Sequence, residues 1–176
     1  MPSLMTPPST SRIQVRPAAE REGRKDYISI RDYGFWYGQK KALEGISLDI
    51  PERQVVAFIG PSGCGKSTLL RIASHLEECS SGHYTIDESS IGYVFQDATL
   101  MPWRTVQRNV ELIAELHKID KETRSRLVQD AISLVGLSGF EEKYPRQLSG
   151  GMKMRASLAR SLVLKPKVFL FDEPFG

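Results

Sequence analysis

Two stretches carry residue types suited to phosphate chemistry. GPSGCGKST, Gly60 to Thr68, fits the pattern G-x-x-x-x-G-K-[ST]. Glycines at this spacing let backbone N–H groups close around a polyphosphate, and a following helix adds the positive end of its dipole. Lys66 would reach the β- and γ-phosphates, and Ser67 would hold Mg²⁺. The second stretch, FLFDE, sets Asp172 and Glu173 at the end of an apolar run. Asp172 would help hold Mg²⁺, and Glu173 would polarise an attacking water as general base. Taken singly, each stretch has a plainer reading. The first could be a Gly-rich turn with a solvated lysine, and D-E-P is a common exit from a strand. A third stretch, LSGGMKMR from Leu148 to Arg155, is a Ser-Gly-Gly turn opening a helix, with further N–H donors for an anion.

These residues need particular elements to place them. VVAFIG, Val55 to Gly60, is a continuous apolar run that reads as a buried parallel strand feeding the Gly-rich loop. After the loop, Leu69, Ile72, Ala73 and Leu76 form one helical stripe. Upstream, Ile28 and Ile30 alternate, as do Ile46, Leu48 and Ile50, and Pro51 ends that second strand. Tyr84–Ile86 and Ile91–Phe95 read as further strands, and VFLF at 168–171 as another buried one. Helical patterns cover 105–117 and 121–135, the latter with Asp120 as N-cap and Gly136 as stop. Another helix is expected to start at Gly150 and end before Pro166. Strands alternating with helices give an α/β class with a mostly parallel sheet.

Composition narrows the function. The 176 residues are 40% hydrophobic and 26% charged, as in a soluble globular domain. A net charge of +3 is too mild to argue for nucleic acid. Residues 1–25, rich in Pro, Ser, Thr and charge, read as a disordered tail. No apolar stretch approaches the length of a membrane span, and the opening lacks a secretory pattern. Cys64 and Cys79, the two cysteines, suit reduced thiols in a cytosol. A membrane role would come through a partner.

In this order the motifs resemble the ATP-binding subunits of ABC transporters, over about residues 28–176. Gly60, Pro61, Ser62, Gly63, Cys64, Gly65, Lys66, Ser67 and Thr68 match the Walker A loop. Gln96 in YVFQD matches the Q-loop, and Leu148–Gly151, with Ser149 and Gly150, matches the signature LSGG. Val168–Glu173 matches Walker B and its adjoining glutamate. Tyr37 sits where the family stacks an aromatic residue on adenine, with Trp36 as the neighbouring alternative. The resemblance implies a P-loop NTPase of RecA-like architecture. A small antiparallel β subdomain and a helical signature subdomain, about 97–150, would accompany a mostly parallel sheet, within an ATP-binding domain over 26–176.

The resemblance also implies a mechanism. Such subunits pair head to tail, a homodimer here, with ATP between Walker A of one and Ser149 and Gly151 of the other. ATP and Mg²⁺ would be the cofactors, with Gln96 joining Ser67 and Asp172 around the metal and assisting Lys66 and Glu173 in hydrolysis. Closure would drive permease subunits, reached through Met101 and Trp103, while a solute-binding protein selects the cargo. The subunit would lie peripherally on the cytoplasmic face of the membrane. FQDATLMPWRTVQRNV with LSGGM and DEPFG looks like importers of nitrate, sulfonate, taurine and related small solutes. FWYGQKKALEGISLDIPERQVVAFIGPSGCGKSTLLR looks equally close to phosphate importers.

The sequence also departs from the family. Lys66 to Gln96 is short, Met154 replaces a usual Gln, and the elements that follow Walker B are missing. His75, His83 and His117 precede Walker B and read as ordinary histidines. FLFDEPFG therefore reads as an interruption of the chain, with the C-terminal strands missing. In this fold class the absent strand lies between the Walker A and Walker B strands, so a gap with unpaired N–H and C=O groups is expected in the sheet. The competing readings are a nucleotide-binding fragment without hydrolysis and a soluble, non-transport ABC-type ATPase.

Overall fold

A computed structural model describes residues 26–77, 81–86 and 91–173. The tail read over 1–25 lies outside the described residues. The chain divides into two compact units, Met1–Asp87 and Glu88–Gly176.

The first unit is built on β1 (Asp26–Tyr37) and β2 (Lys40–Pro51), with β3 (Ser81–Ile86), in the order β2-β1-β3, antiparallel throughout. Ile28, Ile30 and Leu48 are buried as their alternation requires. Further along β1 the buried positions become Tyr33 and Phe35, a switch from even to odd numbers. Register irregularities separate Ile30 from Tyr33, and Asp32 between them has φ 44°. A bulge of that kind moves the inward face by one residue. Helix α1 (Lys66–Ala73) packs on β2 and buries Leu69, Leu70, Ile72 and Ala73. Leu76, assigned to the same stripe, is exposed instead. The helix has ended by Ser74, and His75 takes φ 58°, which turns the chain away.

The larger correction concerns Val55–Gly60. Residues 54–61 form no strand, and Val55 and Ile59 are 100% and 85% exposed. An extended apolar run is stable only when neighbouring strands take its N–H and C=O groups. No described strand pairs with it, and among the described residues the parallel strand pairing is found in the second unit.

In the second unit β4 (Ile91–Val94) and β5 (Val168–Phe171) are parallel, with Tyr93 opposite Leu170. Strand β5 is less buried than its composition suggests, because Leu170 is covered while Phe171 is exposed. The helices follow local signals closely. Thr105 caps α2 (Val106–Leu116), its side chain accepting from Arg108 N–H. Asp120 caps α3 (Lys121–Leu134) through Thr123 N–H, and that bond holds its carboxyl below the usual range. Gly136, at φ 66°, stops α3. Helix α4 (Gly150–Leu162) packs against α2, α3 and β4. Val106, Val110, Ala114, Ile132, Leu137, Ala156 and Ala159 form the fully enclosed centre of this unit.

Candidate functional site

The candidate residues fall in both units, and each group is described within its own unit. In the first, the Gly60–Thr68 loop bends through left-handed conformations at Gly63 (φ 77°) and Gly65 (φ 99°). A Cβ on Gly65 would lie 2.6 Å from Leu43 Cδ2 and 3.0 Å from Ala42 O, so both conformation and packing require glycine there. Gly65 is the N-cap of α1 and supplies no side-chain acceptor, and no acidic residue lies in the first turn. A helix start with no side-chain cap and no acidic residue in its first turn suits the approach of an anion. Lys66 Nζ donates to Gly60 O at 3.0 Å and Pro61 O at 3.1 Å, holding the ammonium over the loop's carbonyls. Ser67 and Thr68 follow in the first turn, half-buried. Pro61 and Ser62 are exposed, and Cys64 packs its Sγ over Gly60.

The hairpin end of the same unit carries the aromatic candidates. Tyr37 is exposed and meets Phe35 edge-to-face, with ring centroids 4.8 Å apart. Trp36 is engaged by Lys41, whose Nζ lies 5.7 Å from the ring centroid.

In the second unit the carboxylate pair leaves the C-terminal end of β5. The Asp172 N–H donates to Val94 O at 3.0 Å, extending the parallel ladder one residue beyond the strand. Its carboxylate is buried and accepts a hydrogen bond from Tyr93 Oη at 3.2 Å. Glu173 is exposed with φ 47°, a conformation that swings its side chain off the strand line. Gln96 lies two residues past β4 and is exposed.

Ser149 caps α4, its Oγ accepting from Met152 N–H at 3.3 Å. Gly150 and Gly151 are exposed, and a Cβ on either would meet nothing within 4 Å. Glycine in a helix costs about 1 kcal/mol relative to alanine. Among the described residues no neighbour demands glycine at these two positions.

Trp103 stands 72% exposed beside a polar recess of about 490 Å³, which Arg104, Glu115, Glu142 and Tyr144 help to line. The turn that carries it is anchored by Asn109, which is fully buried. Asn109 Oδ1 accepts from Met101 N–H at 2.7 Å, and Nδ2 donates to the Met101 and Arg104 carbonyls. Arg104 donates to Glu115 Oε2 at 2.8 Å and holds that carboxyl below its ordinary value. Arg160 on α4 donates to Thr99 O at 3.0 Å and Thr99 Oγ1 at 2.9 Å, tying that helix to the segment after Gln96. Burial pushes the Arg160 guanidinium down from its usual value.

Tyr93, Asn109 and Arg160 escaped the sequence reading. Each acts across a long or irregular connection that no local pattern announces. Among the described residues no group of three His, Cys, Asp or Glu side chains could cage a metal ion. Mg²⁺ takes hard oxygen donors and is commonly held by one or two carboxylates and phosphate oxygens. In the second unit the buried, oriented Asp172 carboxylate is a donor of that type, and in the first unit, taken by itself, so is the half-buried Ser67 hydroxyl.

Comparisons with known proteins converge on one family. The profile described as ABC transporter matches residues 43–176. An uncharacterised ABC transporter ATP-binding protein of Methanocaldococcus jannaschii is 46% identical over 143 residues, 77% of this chain and 54% of that protein. The taurine import ATP-binding protein TauB of Yersinia pestis is 42% identical over 152 residues, 81% of this chain and 60% of TauB. Among solved structures, an ATP-binding cassette captured as a dimer in a post-hydrolysis state with ADP and Pi superposes with a TM-score of 0.76. It is 30% identical, and the match covers 84% of this chain and 74% of that one. The chain spans about half the length of the curated relatives it matches.

Proposed function

The chain belongs to the ABC transporter family of ATP-binding subunits, and from that premise we propose that it binds and hydrolyses ATP to drive solute import. The observation that carries the proposal is the Gly60–Thr68 loop. Its left-handed glycines, its lysine and a helix start free of any side-chain cap form a receptacle for a polyphosphate.

Within this reading Lys66 takes the β- and γ-phosphates, and Ser67, Asp172 and Gln96 hold Mg²⁺. The cation supplies Lewis-acid stabilisation of phosphate charge. Glu173 accepts a proton from the attacking water, and Tyr37 stacks on the base. Gly150 and Gly151 support pairing with a second subunit. With nothing within 4 Å of where a Cβ would stand at either position, they leave room for a phosphate chain approaching from outside. Ser149 would add its backbone N–H and its hydroxyl to the same contact. Met101 and Trp103 form a contact for permease subunits, which would keep the protein peripheral at the cytoplasmic face. No described helix is long and apolar enough to cross a membrane. A solute-binding protein would act through those permeases. The similarity to TauB, named for taurine import, supports a small anion or related solute as cargo. A second reading, nucleotide binding without turnover, is favoured by the run 54–59 immediately before the loop, which pairs with no described strand.

Titration with a fluorescent ATP analogue tests the proposal. Lys66→Ala removes charge-assisted bonds of about 1.5–3 kcal/mol, or roughly ten- to a hundredfold in affinity. Unaltered affinity would contradict the loop assignment. Glu173→Gln is expected to keep binding and to lose about 10²–10⁴ of any turnover. Unchanged turnover would remove Glu173 from its role.

A further inference from the structure

The parallel register β4–β5 places Tyr93 opposite Leu170. Side chains alternate along a strand, so Asp172, two residues beyond Leu170, shares its face with Tyr93. A diagonal neighbour across two strands is within reach of a long aromatic side chain. The hydroxyl arrives at Asp172 Oδ2, 3.2 Å away. The main chain of Asp172 is fixed from the same strand through Val94 O. The Tyr93 ring is itself set against Phe95, with centroids 4.4 Å apart.

We propose that Tyr93 is a positioning residue that aims the Asp172 carboxylate at its cation. The inference rests on the nucleotide-binding reading above and adds a residue to it. A phenolic O–H is a donor that can occupy one oxygen of a carboxylate. Once Oδ2 accepts from Tyr93, rotation about the last side-chain bond is restrained, and the carboxylate is held in one orientation. Outer partners of this kind orient a metal-binding carboxylate, and their loss typically costs about 10–100-fold in metal affinity or activity. Tyr93 touches neither phosphate nor cation in this scheme. Its effect passes through Asp172 alone.

The test uses the full chain as wild type, Tyr93→Phe and Asp172→Asn. A fluorescent ATP analogue is titrated in EDTA, and Mn²⁺ uptake by the nucleotide complex is then followed by electron paramagnetic resonance. Tyr93→Phe keeps the ring against Phe95 and removes one oxygen. Its affinity in EDTA should equal wild type, while half-saturation by Mn²⁺ should rise about 10–100-fold, towards that of Asp172→Asn. Wild-type Mn²⁺ uptake in Tyr93→Phe beside a weakened Asp172→Asn overturns the role of Tyr93. Failure of the wild type to bind the analogue, or wild-type Mn²⁺ uptake in Asp172→Asn, overturns the underlying nucleotide reading instead. Should Tyr93→Phe melt below the assay temperature, Tyr93→Met supplies the same comparison without a donor.

Discussion

Helices α2, α3 and α4 are far less rich in large apolar residues than the run Val55–Ile59, yet it is the helices that bury theirs. The helices enclose Val106, Val110, Ile132 and Leu137 completely. The run leaves Val55 and Ile59 in solvent. A helix satisfies its own backbone and needs neighbours only for one face. A strand needs neighbours for its backbone as well. Apolar composition is therefore sufficient for a helix once a cap and a stop are present. For a strand it is only half of the requirement.

Substitutions can break this contrast at graded cost. The largest effect is expected for Ile132→Ala in the helical centre, a loss of about 2–5 kcal/mol in urea unfolding followed by circular dichroism. A loss under 1 kcal/mol would mean that the centre is loosely packed. Asn109→Ala should follow, at about 1–3 kcal/mol, because the fully buried Asn109 side chain supplies the Met101 turn with an acceptor and a donor together. Faster amide exchange at Met101 would localise the effect, and unchanged exchange would argue against it.

Glu115→Gln should cost less, about 0.2–1 kcal/mol, since the pair with Arg104 is partly solvated. Its pH dependence has a defined sign. The folded carboxyl titrates below its ordinary 4.5, chiefly through the Arg104 hydrogen bond. Its contribution is present above that ordinary value and disappears as pH falls through the lowered one. The gap between wild type and variant, measured by urea midpoints, should be open at pH 7 and shrink below pH 4.5. A gap independent of pH would assign the effect to packing. Val55→Ser should be the smallest, within about 0.5 kcal/mol, because the side chain is already in water. A larger loss in the same unfolding assay would show that the run is covered after all.

The same contrast explains what could be read in advance. Asp120 and Gly136 bounded a helix correctly because caps and stops act within a few residues. Ile28, Ile30 and Leu48 marked an inward face because alternation is local. The bulge at Asp32 was invisible, since no apolar position announces an inserted residue. Val55–Ile59 was misread as a strand because its composition says nothing about whether a partner exists. At the candidate site, Gly65 and Lys66 were legible as motif positions. Tyr93 was not, because its meeting with Asp172 depends on a register between distant strands.

The pairing of β4 with β5 also sets an order of events in time. Tyr93 and Asp172 stand 79 residues apart in sequence. Closing so long a loop carries an entropic cost that non-local contacts recover only after they form. The capped helices between the two strands involve short-range contacts and are expected to fold ahead of that closure. Synthesis from the N-terminus delays it further, because Tyr93 must await a partner that leaves the ribosome many seconds later, at about 5–20 residues per second. The buried carboxylate would then reach its place after the helices that lie between the two strands.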